Sequence, residues 1–213
     1  MNDLLQQLNK GAARLNITLT DGQQQALMSY LELLIKWNKA YNLTAIRDPQ
    51  QMVALHLLDS LAVHPAVQGA QHIIDVGTGP GLPGVVLAIM NPHKQFTLLD
   101  SNGKKTRFLF QARTSLRLAN VEIVNERCEA YHPPRPFDMI VSRAFASLAD
   151  MVHWCEHMRA PHGCFLAMKG QFPEQELAEL GGRYQLQNSE ALEVPGVEGQ
   201  RHLLTLVPAA TGK

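Results

Sequence analysis

The sequence predicts an α/β fold, a mainly parallel sheet covered by helices and preceded by a small helical extension. Three observations predict it. Up to about Leu61 apolar residues recur at helical spacing. From His72 onward short apolar runs alternate with helical stretches. The first of those runs ends in a glycine-rich string, as a strand does when it turns into a helix in such a sheet. The expected division is a helical extension over residues 1–65 and a core over residues 66–213.

In the extension, Leu4, Leu5, Leu8, Ala12 and Leu15 share one face of a first helix. Thr20 or Asp21 can cap a second, with Ala26, Leu27, Tyr30, Leu31, Leu34 and Trp37 as its apolar positions, and the stretch Asn38 to Asn42 should break it. Asp48-Pro49 starts a third, placing Met52, Leu55, Leu58 and Leu61 on one face. In the core, strands are expected at Ile73–Val76, Phe96–Asp100, Val121–Val124, Met139–Ser142 and Phe165–Met168. Helices are expected at Leu82–Met90, Lys104–Leu118 and Leu148–Met158. Tyr184–Val194 and His202–Val207 read as two final strands joined by a short loop, hence antiparallel. An α/β sheet closed by such a pair is, by analogy of fold, the Rossmann-like sheet of the class I S-adenosylmethionine-dependent methyltransferases rather than that of the dehydrogenases.

Bulk properties exclude several classes. The chain has 213 residues, 46% of them hydrophobic, enough for one full-sized domain core. Lysine plus arginine equals aspartate plus glutamate at 19 each, so only local clustering can point to a partner. No apolar run is long enough to span a membrane, and Met1 to Leu5 lacks the basic and apolar regions of a secretory signal. Cys128, Cys155 and Cys164 are odd in number and scattered, as in a cytoplasmic protein with reduced thiols. A monomer is the default expectation.

The central motif is Asp75-Val76-Gly77-Thr78-Gly79-Pro80-Gly81-Leu82-Pro83-Gly84. Glycines serve where the chain turns tightly and where a ligand meets backbone, which makes Gly77 and Gly79 candidate contacts. A dinucleotide fingerprint places glycines first, third and sixth. Here they stand first, third and fifth, and Leu82 is sixth. Asp75, two residues before the first glycine, would repel a pyrophosphate but can hold an ammonium. S-adenosylmethionine carries an ammonium and a sulfonium and no phosphate. Asp100, ending the second strand, is placed to accept both ribose hydroxyls. After the third strand, Arg127-Cys128-Glu129 falls beside the expected adenine position, where Glu129 and a backbone amide can read the ring edge.

A wider set of strings resembles a known family. Lys36-Trp37-Asn38-Lys39-Ala40-Tyr41-Asn42-Leu43-Thr44, His56-Leu57-Leu58-Asp59-Ser60, the glycine string, and Ser142-Arg143-Ala144-Phe145-Ala146 together resemble the bacterial 16S ribosomal RNA guanine-N7 methyltransferases of the small subunit, also called glucose-inhibited division protein B. The likeness covers almost the whole chain. It implies methyl transfer from S-adenosyl-L-methionine to N7 of a guanine in 16S rRNA near the decoding centre. It also implies cofactor contacts at Gly77, Leu82, Cys128, Glu129 and Arg143, with Asp100 in the ribose place. The contact at Cys128 is expected through backbone.

Guanine N7 offers a lone pair and carries no proton, so direct in-line transfer needs no general base and relies on positioning. Arg143 cannot act as an acid, because guanidinium does not deprotonate. It is a candidate anchor for the cofactor carboxylate, an RNA phosphate or guanine O6. Phe145 and Phe172 are candidates to stack on an extruded base, with a core role as the alternative. Lys94, Lys104, Lys105, Arg107, Arg113, Arg117, Arg127, Arg135 and Arg143 crowd one basic stretch, while Glu174, Glu176, Glu179, Glu190, Glu193 and Glu198 make the tail acidic. Phosphate binding and a solvated helix face both remain open for Lys104 to Arg117. His153 and His157 stand four apart but lack a third obvious ligand, so no metal is expected. Trp37 and Tyr41 are read as core rather than as a ligand platform, and Cys128 as an unreactive thiol.

Overall fold

The computed structural model describes residues 2–209. Helix α1 (Asn2–Arg14) buries Leu4, Leu8 and Ala12, the stripe its sequence marks out. Helix α2 (Asp21–Tyr41) opens on a reciprocal cap. Thr20 Oγ1 accepts from the Gln23 amide at 3.2 Å, and the Gln23 side chain accepts from the Thr20 amide at 2.9 Å. The expected break across Asn38–Asn42 narrows to one residue, Asn42, in the left-handed region at φ 51°. Asn38 stays helical and buried. Its side chain accepts from the Thr44 amide at 2.9 Å and donates to the Ile46 carbonyl at 3.1 Å, so it shapes the following loop without interrupting the helix.

Helix α3 (Pro49–Met52) is capped by Asp48, whose carboxylate accepts from the Gln50 and Gln51 amides. It passes into a π-helical turn (Val53–Leu58) and then α4 (Asp59–Leu61). The expected stripe is therefore incomplete: Leu55 is only half-buried, while Val53, Ala54 and Leu57 join Met52, Leu58 and Leu61 in the core. The widened turn enlarges the buried face, and His56 and Asp59 lie within it.

The sheet runs β3-β2-β1-β4-β5-β7-β6. Its strands are β1 (His72–Val76), β2 (Gln95–Leu99), β3 (Val121–Val124), β4 (Phe137–Ser142), β5 (Arg159–Lys169), β6 (Tyr184–Ala191) and β7 (His202–Pro208). The pairs β1·β2, β1·β4, β2·β3 and β4·β5 are parallel, and β7 pairs antiparallel with both β5 and β6. Strand β5 starts well before its expected Phe165, and a short helix, α8 (Glu174–Ala178), stands where no element was expected. Side chains alternate across the sheet. Ile73 and Val141 belong to an apolar cluster with α1, α2, α5 (Gly84–Met90) and α6 (Gly103–Leu116), while Ile74 and Ile140 belong to a second with α7 (Leu148–Cys155). The extension thus adds its helices to the α5 and α6 face, and its core is continuous with that of the sheet.

Candidate active site

The strand order reverses between β1 and β4, the switch point at which open α/β sheets bind ligands. The glycine loop leaves β1 there. Gly77, at φ 66°, lines a cleft, and a Cβ on it would lie 2.8 Å from Ala144 Cβ. At Gly84, where the helix starts, a Cβ would collide with Leu98 and come within 2.8 Å of Asp75 Oδ2, so the helix packs on the sheet only without a side chain. The cleft holds about 470 Å³ and is lined by Val76, Gly77, Asp100, Lys105, Glu126–Glu129, Ala144, Phe145 and Trp154. That volume lies within the usual range for a small-molecule site, roughly 300–1,000 Å³.

Asp100 follows β2 and is buried at the cleft wall. Its Oδ2 accepts from the Gly79 amide and its Oδ1 from the Asn102 amide, both at 2.8 Å, with Lys105 Nζ at 3.9 Å. Each oxygen accepts one of these bonds and has capacity for another, as a pair of ribose hydroxyls requires. Gly79 therefore orients the acid through its amide and does not itself line the cleft. Leu82 is buried beneath the loop.

Asp75 departs from its expected role. Its Oδ2 accepts from Thr78 Oγ1 and from the Gly84 amide, both at 2.7 Å, while Oδ1 is buried without a partner. The carboxylate is an internal strut of the loop and is absent from the cleft wall. Burial pushes its pKa up to about 6 against the opposing hydrogen bonds from Thr78 and Gly84. The Tyr30 hydroxyl, from α2, donates to the Pro80 carbonyl at 2.8 Å in a fully buried contact. This contact anchors the glycine loop to the extension, and sequence reading placed Tyr30 only in the core.

Cys128 and Glu129 stand at the cleft as expected, 3.4 Å apart from Sγ to Oε2. The neighbouring Cys155 thiol holds the Cys128 pKa below the ordinary thiol value, and the same contact, with burial added, holds that of Cys155 above it. Phe145 lines the cleft, whereas Phe172 is partly exposed and sits edge-on to His202, centroids 5.7 Å apart. Trp37 packs on Phe108 and Tyr41, leaving Tyr41 partly exposed. His157 Nε2 lies 2.9 Å from the Tyr131 carbonyl. Lys94 drops out of the basic stretch: it is buried, and Nζ donates to the Gln68 and Ala70 carbonyls at 2.7 and 2.5 Å.

Arg143 faces a second cavity of about 420 Å³ rather than the cleft. Its neighbours Ala144 and Phe145 line the cleft, so the segment after β4 is a shared wall. Arg143 Nη1 lies 3.4 Å from Asp59 Oδ2, and Arg201 Nε donates to Asp59 Oδ1 at 3.1 Å. His56 reaches Thr44 Oγ1 at 3.0 Å, and desolvation with Arg143 nearby lowers its pKa to about 4. This cavity joins the extension, the end of β4 and the C-terminal hairpin. Asp59, His56 and Arg201 were given no role in the site by sequence reading. The clue available was an aspartate among buried leucines, which must find a cationic partner.

This fold is the class I methyltransferase fold. Solved structures share the architecture: the O-methyltransferase from Bacillus cereus in complex with SAH (TM-score 0.54, 20% identity, 84% of this chain and 90% of that one), and a ribosomal protein L11 methylase from Lactobacillus delbrueckii subsp. bulgaricus (TM-score 0.54, 16% identity, 76% and 80%). The family described as rRNA small subunit methyltransferase G matches residues 23–204. Ribosomal RNA small subunit methyltransferase G of Pseudomonas aeruginosa is 54% identical over 200 residues, 94% of each chain, and that of Psychromonas ingrahamii is 52% identical over 203 residues, 95% of this chain and 98% of the other. The chain belongs to this family.

Proposed function

We propose that this protein methylates N7 of a guanine in 16S rRNA of the small ribosomal subunit, using S-adenosyl-L-methionine as methyl donor. One observation carries the reading within the family: two cavities share the wall at residues 143–145, so donor and acceptor can meet across it. The donor, when bound, supplies a sulfonium methyl for in-line displacement. Asp100 would hold its ribose, the Cys128–Glu129 segment would face its adenine, and the Gly77 backbone would form the floor.

The acceptor guanine enters from the side of the second cavity. N7 carries no proton, so no residue here acts as a base, and the work of the site is orientation. Arg143 anchors the acceptor side. The positive charge that develops on the base disfavours a bare cation against N7, and the Asp59 carboxylate, shared by Arg143 and Arg201, offsets part of that penalty. The protein acts in the cytoplasm, where ribosomal subunits are, and as a monomer.

The test is methyl transfer from labelled S-adenosylmethionine to small-subunit RNA from cells lacking the protein, with the modified nucleotide mapped. The expected result is one 7-methylguanosine in 16S rRNA. Label at another atom or in another RNA refutes the reading. Arg143→Ala is expected to lower turnover at least tenfold with cofactor affinity nearly unchanged.

A further inference from the structure

The cleft and its neighbouring cavity leave unexplained the most one-sided charge in the molecule. Residues 103–117 hold five of the 19 lysines and arginines and none of the 19 acids. The rest of the chain carries fourteen cations against nineteen acids, so the neutral total conceals a segregated positive surface. Among the described residues, Lys104, Arg107, Arg113 and Arg117 form no ion pair. A solvated helix face ordinarily interleaves both signs, as α2 does with exposed Glu32 and Lys36 one turn apart.

On α6, Lys104, Arg107, Phe110, Gln111 and Thr114 recur at three- and four-residue spacing and are all exposed, with Arg113 on the flank and Arg117 at the end. Phe110 is 48% exposed, the most exposed large apolar side chain among the described residues. The opposite face, with Phe108, Leu109 and Ala112, is buried. The helix starts at the cleft, where Lys105 approaches Asp100, and its 14 residues lead away from it by roughly 21 Å.

We propose that the outer face of α6 is a docking rail for the RNA substrate, with Lys104, Arg107, Arg113 and Arg117 on phosphates and Phe110 stacked on an unpaired base. The proposal rests on the RNA methyltransferase reading. Cations without acids, joined by one exposed aromatic ring, match single-stranded or looped RNA, in which phosphates and base faces alternate. A lipid surface fits less well, because the face has no apolar side beyond Phe110.

The test uses the full chain, a variant with Lys104, Arg107, Arg113 and Arg117 all changed to Gln, and Phe110→Ala, with protein-free 16S RNA as ligand. Binding is titrated across salt. The fourfold variant is expected to bind RNA at least tenfold more weakly at low salt, with a log–log salt slope smaller by about 3, since each phosphate contact adds roughly 0.7 to 0.9. Phe110→Ala is expected to weaken binding about tenfold and leave the slope unchanged. Both are expected to keep wild-type cofactor affinity and melting temperature, with KM for RNA raised and kcat retained. Wild-type affinity and slope in the fourfold variant overturn the proposal, as does a loss confined to anionic vesicles of phosphatidylserine. Absence of RNA methylation by the wild-type chain sinks the function reading instead, and is visible before any variant is compared.

Discussion

Asp75 illustrates a residue whose presence was legible and whose partners were not. Its position before the first glycine gave a carboxylate at a strand end, which is sequence information. That it turns under the loop to Thr78 and Gly84 depends on the packing of α5 against β2, which a linear pattern does not carry. The consequence is a pH-dependent cost. Its folded pKa, about 6, lies above the ordinary carboxylate value of 3.8. A folded chain that holds this proton more tightly than the unfolded chain has its full benefit below the lower value and loses it as pH rises through about 6. The loss amounts to about 3 kcal/mol at neutral pH and above. Asp75→Asn removes the ionisation while an amide oxygen still accepts from Thr78 and Gly84. Urea titrations are expected to show this limb of the pH–stability profile flattened and the variant at least as stable as the parent at pH 8. Cofactor affinity should fall, because the buried negative charge beneath the cleft favours a cationic ligand. A variant with an unchanged pH profile contradicts the assigned strut. Asp100 and Glu129 were legible as residues near the cleft because they follow the carboxyl ends of β2 and β3. Arg143 was legible as important, but its orientation toward Asp59 was not.

At the scale of elements, helix starts were the most readable features, since capping is local. Thr20, one of the two candidates at its helix start, and Asp48 before Pro49 both form caps. The π-helical turn was unreadable, because no local spacing marks it; within it, Leu55 and His56 line the second cavity. The bond between α2 and the glycine loop was equally hidden, as it joins residues 30 and 80 through tertiary packing. Tyr30→Phe keeps the ring and strands the buried Pro80 carbonyl, a loss of roughly 1–3 kcal/mol. The expected result is a lower melting temperature and cofactor binding weakened several-fold by calorimetry. Wild-type affinity in a well-folded Tyr30→Phe protein shows that the loop holds its shape without the extension. His56 gives the acid side of the same element. Its folded pKa of about 4 lies below the ordinary 6.5, so its contribution is complete above 6.5 and is lost as pH falls toward 4. His56→Gln is expected to tolerate pH 5 better than the parent relative to pH 8, by urea midpoint.

At the scale of the whole molecule, the alternation of strands with helices and the antiparallel closing pair were open to sequence reading, whereas the strand order, with β7 between β5 and β6, was not. What the pattern omits is the junction that makes the parts one object. Asp59 lies in the extension, Arg143 after β4 and Arg201 before β7, and a single buried carboxylate holds both guanidiniums. The arginines are partly exposed, so solvent screens the pairs and the attraction is modest. Removing the shared carboxylate has a larger effect than either pair suggests, because it leaves two like charges facing each other. Asp59→Ala is expected to lower stability by about 2–4 kcal/mol, below the upper range for breaking a fully buried pair. Adding Arg201→Met to Asp59→Ala relieves the repulsion and should recover part of that stability. Methyl transfer should not recover with it, since Arg143 is then no longer held toward the acceptor side, while cofactor affinity stays near wild type in both variants because the cleft lies across the wall. If activity returns together with stability in the double variant, Asp59 serves the fold alone, and the second cavity loses its place as the acceptor side of the reaction.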